Sequence, residues 1–185
     1  MHAFTAVRSA FPATLNFVFL RLPLRSHSIL FTTPASPEEL LYARLIFSDY
    51  AQQLGVDLQF QNFDAELDDL PGEYCAPRGA LLLAWVDGEL AGCCALRPID
   101  NVDYPNAAEM KRLFVRKAFR RIGLGRQLAE TVLDAARSAG YHCVLLDTIH
   151  DMESARALYV DIGFVEVPPY YHNPLPGAHY LKVNL

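Results

Sequence analysis

The sequence predicts a single α/β domain built around a mixed β-sheet. Its 185 residues fall within the usual length of one domain. An Asp-Gly pair, Asp87-Gly88, joins two apolar runs and is typical of a β-hairpin. From Glu109 to the C-terminus, apolar strand patterns alternate with helical patterns. The composition, 52% hydrophobic and 20% charged, excludes a disordered tail, a collagen-like repeat and a coiled coil.

The first half of the chain predicts a strand, two helices and the hairpin. Ser36-Pro37-Glu38-Glu39 combines an N-cap serine, a proline at the first helical position and a glutamate at the capping-box position, which indicates a helix start. Gly55 indicates where that helix ends. The predicted elements are a strand over Ser28–Thr33, helices over Pro37–Leu54 and Phe63–Leu70, and strands over Ala80–Val86 and Glu89–Leu96.

The second half predicts the order strand, helix, strand, helix, strand, strand. Leu128, Val132 and Leu133 share one apolar helix face, and Gly140 stands where a C-terminal cap belongs. The predicted elements are a strand over Glu109–Arg116, a helix over Arg121–Ala139, a strand over His142–Asp147, a helix capped by Asp151 and closed by Gly163, and strands over Phe164–Val167 and Ala178–Asn184. A proline-rich insert, Pro168–Pro176, separates the last two strands.

Residues 1–27 predict an extension of uncertain order that precedes a domain over residues 28–185. The first 37 residues contain three arginines and no acid, which is one mark of an organellar transit peptide. We favour an extension ahead of a cytoplasmic domain and keep organellar targeting as the alternative. No segment approaches the roughly 20 continuous apolar residues of a membrane span, so we expect no membrane partner.

The cysteines and histidines predict no metal site. Cys75, Cys93, Cys94 and Cys143 form no C-x2-C pair, and the six histidines form no H-x3-5-H pair. Such paired spacing is what usually marks a zinc site. We therefore expect free thiols in a reducing compartment.

A basic window between Lys111 and Arg126 is the first candidate functional feature. It holds seven basic residues and no acid, and within it Arg120–Gly125, with the sequence RRIGLG, opens a helix. Glycines there allow a tight turn, and the exposed N–H groups of a helix start favour an anion. The pattern predicts a phosphate-bearing ligand; a charged surface helix is the structural alternative.

Other phosphate-binding patterns fit this window less well. No Lys-Ser or Lys-Thr follows the glycines, as a Walker loop requires, and Leu128 replaces the third glycine of a dinucleotide fingerprint. A nucleic-acid module using the basic window would bind with steep salt dependence, but the net charge of -5 argues against it.

Two motifs in order resemble the GNAT superfamily of N-acetyltransferases. Arg120, Gly123 and Gly125 match its R-x-x-G-x-G pyrophosphate loop, and Leu158-Tyr159 followed by Gly163-Phe164 matches its second motif. The resemblance covers about residues 38–185 by order of elements and is specific from 109 to 164. It implies a mostly antiparallel central sheet flanked by helices, in which a splayed parallel strand pair forms the cofactor cleft.

The resemblance also implies acetyl transfer from acetyl-coenzyme A directly to a primary amine of a small molecule or peptide. The implied cofactor contacts are the backbone of Leu113, Phe114 and Val115 for the pantetheine arm, and Arg120, Arg121, Ile122, Gly123, Leu124, Gly125 and Arg126 for the pyrophosphate. A non-catalytic sensor that keeps the coenzyme pocket is the alternative, and a homodimer stays open.

Tyr159 is the predicted general acid, because the departing thiolate needs a proton. Glu109 is the predicted general base, acting directly or through a water, with Asp147 and Asp151 as competitors. One departure from the family concerns Met152, which stands where many members have a cofactor-binding asparagine. The aromatic stretch Pro168–Pro174 is interpreted either as an edge loop or as part of the acceptor site.

Overall fold

The structure, a computed structural model, describes residues 27–150 and 152–185 of the chain. The strands are β1 (Ile29–Thr32), β2 (Ala80–Val86), β3 (Glu89–Ile99), β4 (Ala107–Val115), β5 (Cys143–Ile149), β6 (Val165–Val167) and β7 (Ala178–Asn184). The helices are α1 (Pro37–Leu54), α2 (Phe63–Asp69), α3 (Leu124–Ser138) and α4 (Glu153–Asp161). Short 3-10 turns, one of them Gln59–Gln61, join some of these elements.

The strands form one seven-stranded sheet in the order β1-β2-β3-β4-β5-β7-β6. All neighbouring strands are antiparallel except β4 and β5, which are parallel. The predicted mixed, mostly antiparallel sheet is confirmed. The parallel pair is short: β4 and β5 pair only from Ala107 with Cys143 to Glu109 with Leu145, and the two strands then separate.

Helices cover both faces of the sheet and enclose two main cores. On one face, Leu128 and Val132 of α3 pack into a core that also contains Tyr159 of α4. On the other face, Ile46 and Phe47 of α1 pack into a second core. Each helix buries an apolar stripe, which is the arrangement that a 3.6-residue period predicts.

The start of α1 confirms the predicted capping box. The Ser36 hydroxyl accepts from the Glu39 N–H at 3.2 Å, and the Glu39 carboxylate accepts from the Ser36 N–H at 3.0 Å. At the other end, Gly55 has φ 71°, in the left-handed region that favours glycine at a helix end.

The first residues of α3 and α4 can be compared with the predicted ones. The prediction that α3 begins at Arg121 is wrong: it begins at Leu124, because Arg121 and Gly123 have φ of 67° and 82°, outside the right-handed helical region. The predicted Asp151 cap of α4 lies outside the described residues. Met152 is the N-cap residue, and its side chain makes no capping hydrogen bond.

Two further expectations concerned the thiols and the membrane. Cys93, Cys94 and Cys143 are buried free thiols, and Cys75 is an exposed one. Among residues 27–150 and 152–185, no helix combines the length and the apolar character needed to cross a bilayer.

Removing residues 1–27 is expected to leave the domain folded, with a Tm within about 4 °C of the full chain. The deletion removes the exposed contact between His27 Nδ1 and Asp87 at 2.7 Å, and surface ion pairs are usually worth less than about 1 kcal/mol. Thermal unfolding of the truncated chain measures this. As a control, deletion of residues 1–33 also removes β1 and should lower the Tm clearly. A large loss in the shorter deletion would move the domain boundary towards the N-terminus.

Candidate active site

A cavity opens where β4 and β5 separate. It is lined from β4 by Met110, Lys111, Arg112 and Leu113, from β5 by Asp147, Thr148 and Ile149, from the α1 side by Tyr50, Leu54, Leu58 and Gln61, from the α4 side by Met152 and Tyr159, and from the C-terminal loop by Asn173 and Leu175. The segments that build this cavity are mostly far apart in the sequence.

A β-bulge in β4 sets the direction of its basic side chains. Lys111 pairs with Ala95 and Phe114 pairs with Cys93, so two residues of β4 face one residue of β3. Arg112, one of the two, has φ 57°. Consecutive side chains of a regular strand point to opposite faces, but here Lys111 and Arg112 both make their contacts on the α1 side of the sheet.

Arg112 forms a buried ion pair that ties the bulge to α2. Its Nε and second terminal nitrogen donate to the two carboxylate oxygens of Glu66 at 2.9 and 2.5 Å, and the Tyr74 hydroxyl donates to the same carboxylate at 2.8 Å. The guanidinium also lies over the rings of Tyr50 and Phe63. Burial alone would raise the pKa of Glu66, but hydrogen bonds and charge from Arg112 outweigh it and lower that pKa.

Glu109 is occupied by other side chains. Its carboxylate, 1% exposed, accepts from Arg97 Nε at 2.8 Å and from the Tyr170 hydroxyl at 3.0 Å, and Lys111 Nζ lies 3.9 Å away. Glu109 is not among the residues that line the cavity. These surroundings argue against the predicted role of Glu109 as the direct general base, because a base needs access to the proton that it removes.

Asp147 is the carboxylate that lines the cavity. Its Oδ2 accepts from Asn173 Nδ2 at 3.0 Å. The Tyr171 hydroxyl accepts from Gln61 Nε2 at 3.4 Å and from Asn173 Nδ2 at 3.2 Å. Burial and the charge of Asp147 raise the pKa of Tyr171, so its phenol stays neutral. The aromatic C-terminal stretch therefore lies against the cavity and is not an outlying edge loop.

Tyr159 reaches the cavity from the opposite face of the sheet. Its ring, 6% exposed, packs against Phe164 with 5.6 Å between centroids. Burial raises the pKa of Tyr159, so the phenol holds its proton at neutral pH. Among the residues that the structure describes, no partner hydrogen-bonds to its hydroxyl, and the buried hydroxyl of Thr148 in the same lining is also unpaired.

The strand period separates these groups into two faces. Val144 and Leu146 of β5 belong to the core under α3, so Thr148 shares the face of Tyr159. Leu145 belongs to a different cluster on the other face, so Asp147 shares the face of Lys111. The cavity thus has a phenol on one side of the sheet and a carboxylate and an ammonium group on the other.

The glycine loop lies beside the end of β4. Gly123, in the left-handed region, is the N-cap residue of α3, and no side chain caps that helix. A Cβ on Gly125 would lie 3.7 Å from Leu158 and 3.8 Å from Val115, so the loop, α4 and β4 meet there. The first amides of α3 lack intrahelical partners, as at every helix start.

The other predicted cofactor residues are placed as follows. Leu113 lines the cavity, whereas the Phe114 side chain is buried against Tyr50 of α1, which leaves only its backbone for a ligand. Arg120 Nε donates to the Val115 carbonyl at 2.9 Å. Ile122 packs against the core under α3, and Leu124 is buried within it. Arg121 is exposed.

Several residues of the basic window are neutralised individually. Arg112 pairs with Glu66, Arg116 with Asp49, and Arg126 with both Glu130 and Asp161. Arg126 therefore links α3 to acids of α3 and α4, and its side chain is already engaged. This pairing does not favour the nucleic-acid alternative, since acids of the protein already neutralise three of the seven basic residues.

The sequence did not point to Gln61, to Thr148 or to Lys111 as an individual residue of the cavity, and it indicated Asn173 only as part of the stretch Pro168–Pro174. One signal was present for Lys111. Lys111-Arg112 interrupts the apolar pattern of a strand expected to be central, and charges buried there need a specific reason. Among the described positions, no group of three or more His, Cys, Asp or Glu residues could hold a metal ion.

Comparisons with known proteins agree on one family. The family model described as "Acetyltransferase (GNAT) family" matches residues 43–164. The chain is 35% identical over 150 residues to an N-acetyltransferase of Schizosaccharomyces pombe. The aligned region covers 80% of this chain and 90% of that protein. The chain is 28% identical to an N-acetyltransferase of Dictyostelium discoideum, over 80% of this chain and 95% of that protein.

Solved structures show the same fold. An acetyltransferase from Streptococcus agalactiae superposes with a TM-score of 0.70 at 20% identity, over 85% of this chain and 98% of that one. The PaiA N-acetyltransferase of Thermoplasma acidophilum, solved in complex with coenzyme A, has a TM-score of 0.65 at 16% identity, over 85% of this chain and 99% of that one.

Replacing Glu66 with Gln should lower the free energy of unfolding by roughly 3–5 kcal/mol, because it leaves the buried Arg112 charge without a partner. The Arg112 side chain is 2% exposed and that of Glu66 is 14% exposed. Since the folded-state pKa of Glu66 is lowered, its stabilisation is complete above about pH 4.3, the ordinary pKa of Glu, and is lost as the pH falls below it. Urea unfolding at pH 7 and below pH 4 measures both effects.

Glu73→Gln is the matched control for this prediction. Glu73 pairs with Arg97 at 3.0 Å, but its side chain is 60% exposed, so the loss should stay below about 1 kcal/mol. Equal losses in the two variants at pH 7 would contradict the importance assigned to the buried pair.

Proposed function

This chain belongs to the acetyltransferase (GNAT) family, and we propose that it transfers an acetyl group from acetyl-coenzyme A directly to a primary amine of a small molecule or peptide. One observation carries the proposal. A neutral buried phenol, Tyr159, and a carboxylate, Asp147, reach the same cavity from opposite faces of the sheet. A cavity with a proton donor and a proton acceptor suits a reaction that moves protons at two atoms.

The coenzyme is assigned to the glycine loop and to β4. The uncapped start of α3 offers N–H groups and the positive end of the helix dipole to the pyrophosphate. β5 stops pairing with β4 after Glu109, so the edge of Leu113–Val115 that faces β5 is open to an extended pantetheine arm. Arg120, held against Val115, adds positive charge beside that path, whereas Arg126 contributes its backbone N–H.

The reaction forms a C–N bond and breaks a C–S bond. The amine nitrogen attacks the thioester carbonyl carbon, and backbone N–H groups near Phe114 and Val115 are the candidates to stabilise the oxyanion. When the intermediate collapses, the departing sulfur receives a proton from the Tyr159 hydroxyl, and the resulting phenolate takes up the proton that nitrogen loses, which restores the phenol. Burial keeps this phenol protonated until the thiolate forms.

Asp147 is assigned as the group that accepts the proton of an ammonium acceptor. It lines the cavity, whereas Glu109 is held by Arg97 and Tyr170 and does not. Glu109 instead acts as a positioning residue, because it fixes the Tyr170 hydroxyl and with it the C-terminal loop. An acceptor amine is ionised at neutral pH, so a carboxylate at this place both attracts it and removes its proton.

Gly123→Val is expected to abolish coenzyme A binding in a folded protein. Valine strongly disfavours the φ of 82° at this position, and its side chain would stand where the phosphates approach. Gly140→Val is the control, because Gly140 has a similar φ of 79° just after the other end of α3, where no described atom beyond its chain neighbours lies within 4 Å of an added Cβ. It should lose stability and keep its affinity. Calorimetric titration compares the two; unchanged affinity in Gly123→Val would remove the loop from the coenzyme site.

Tyr159→Phe should reduce turnover by about 10²–10⁴-fold with little change in folding or coenzyme A affinity, because it removes a proton donor and little volume. Thiol release from acetyl-coenzyme A, followed with an accepted amine, measures the rate. Tyr141→Phe is the control, since the Tyr141 hydroxyl donates to the Arg78 carbonyl at 2.7 Å and does not line the cavity.

Two other results would change the assignment. Full turnover of Tyr159→Phe, with an acceptor for which chemistry limits the rate, would make Tyr159 a core residue alone. Tight coenzyme binding with no thiol release across a broad panel of amines and peptides would indicate the sensor.

A further inference from the structure

Lys111 is a buried ammonium group that has no carboxylate within hydrogen-bonding distance among the described side chains. Its Nζ donates to Gln61 Oε1 at 3.3 Å, and Glu109 lies 3.9 Å away with its oxygens already bonded to Arg97 and Tyr170. Burial lowers the pKa of Lys111 more than the charge of Glu109 raises it. A charge kept at this place is poorly compensated by the protein alone.

Asp147 faces the same cavity from β5. Its hydrogen-bond partner, Asn173, is neutral. No ion pair within 4.0 Å joins Asp147 to Lys111 in the part of the chain that the structure describes, although each feels the charge of the other. The cavity thus presents one positive and one negative side chain on the same face of two strands that have separated.

The hydrogen bonds around the two charges fix their positions. Gln61 accepts from Lys111 through Oε1 and donates to the Tyr171 hydroxyl through Nε2, and Asn173 donates both to that hydroxyl and to Asp147. This chain of neutral groups crosses from β4 to β5 and sets the orientation of both charged side chains. A ligand that carries one positive and one negative group would find a partner of opposite charge for each of them in this cavity.

We propose that the acceptor is a free amino acid with an apolar side chain, bound with its ammonium group at Asp147 and its carboxylate at Lys111. This assignment rests on the acetyl transfer proposed above and names its substrate class. The apolar side chain is assigned to the wall formed by Leu54, Leu58, Ile149 and Leu175, which line the same cavity. The amine that Asp147 binds is then the amine that attacks the thioester.

The same charges disfavour other amines. A polyamine brings a second positive charge towards Lys111, and like charges in a partly dehydrated site repel. A lysine side chain of a protein carries no carboxylate near its ammonium group, which leaves Lys111 uncompensated. A plain alkylamine has the same deficiency.

The test compares leucine with 3-methylbutylamine, which is leucine without its carboxylate, and with spermidine. Wild-type protein at saturating acetyl-coenzyme A should show kcat/KM at least about 100-fold higher for leucine than for either amine, because a site built to pair a polar group rejects analogues that lack it. Lys111→Met should bring the ratio of leucine to 3-methylbutylamine towards one, chiefly through the KM for leucine.

Lys182→Met is the matched control. It removes the same charge from β7, where Lys182 Nζ lies over the Tyr104 ring and outside the cavity lining, and it should leave the ratio unchanged. The wild-type ratio decides the matter even if Lys111→Met does not fold. Acetylation of 3-methylbutylamine or spermidine as efficient as that of leucine would overturn the amino-acid assignment and leave the acetyl transfer standing. A panel in which no amine, with or without a carboxylate, is acetylated would overturn both.

Discussion

β4 and β5 share three residue pairs and then part, and the contents of the site follow from that separation. Each strand keeps its outer partner: β5 pairs with β7 along its whole length, and β4 stays with β3 through the bulge. A bulge bends its strand and increases the local twist, which carries β4 away from β5. The gap exposes the backbone edge of β4 and admits side chains from both faces of the sheet.

The charges around this gap are arranged so that most are satisfied within the protein. Glu66 neutralises Arg112, and Arg97 neutralises Glu109, in each case with further hydrogen bonds from a tyrosine. Such complete pairing is what buried charges require. Against this background, Lys111 and Asp147 differ because their direct hydrogen-bond partners are neutral.

The parts of the fold that depend on local chemistry could be predicted from the sequence. The capping box at Ser36, the Asp87-Gly88 turn and the glycine loop each act within a few residues, and the structure shows all three elements where they were expected. The start of α3 was placed too early because nothing in the sequence marks Arg121, a non-glycine residue, as left-handed. The bulge was missed for a similar reason: a register shift depends on the partner strand.

The candidate site was harder to predict because its chemistry comes from long-range contacts. A carboxylate on a central strand looks available in the sequence, but Glu109 is covered by Arg97 from the neighbouring strand and by Tyr170, which lies 61 residues further along the chain. The position of Tyr159 followed from a helical period, which is a local property. The position of Asp147 beside Asn173 depends on how the C-terminal loop folds back, and no motif encodes that.

The contact between Gln61 and Tyr171 joins two segments 110 residues apart, and Gln61 lines the cavity. Tyr171 lies beyond the stretch 43–164 that matches the family, whereas the glycine loop and Tyr159 lie inside it. In the proposed assignment the coenzyme contacts lie inside this stretch, whereas the acceptor pocket combines Lys111 and Asp147 from it with Leu175 from the C-terminal loop. A substitution at Leu175 would then change the shape of the acceptor pocket while the glycine loop stays as it is, so the same coenzyme site can serve different acceptors.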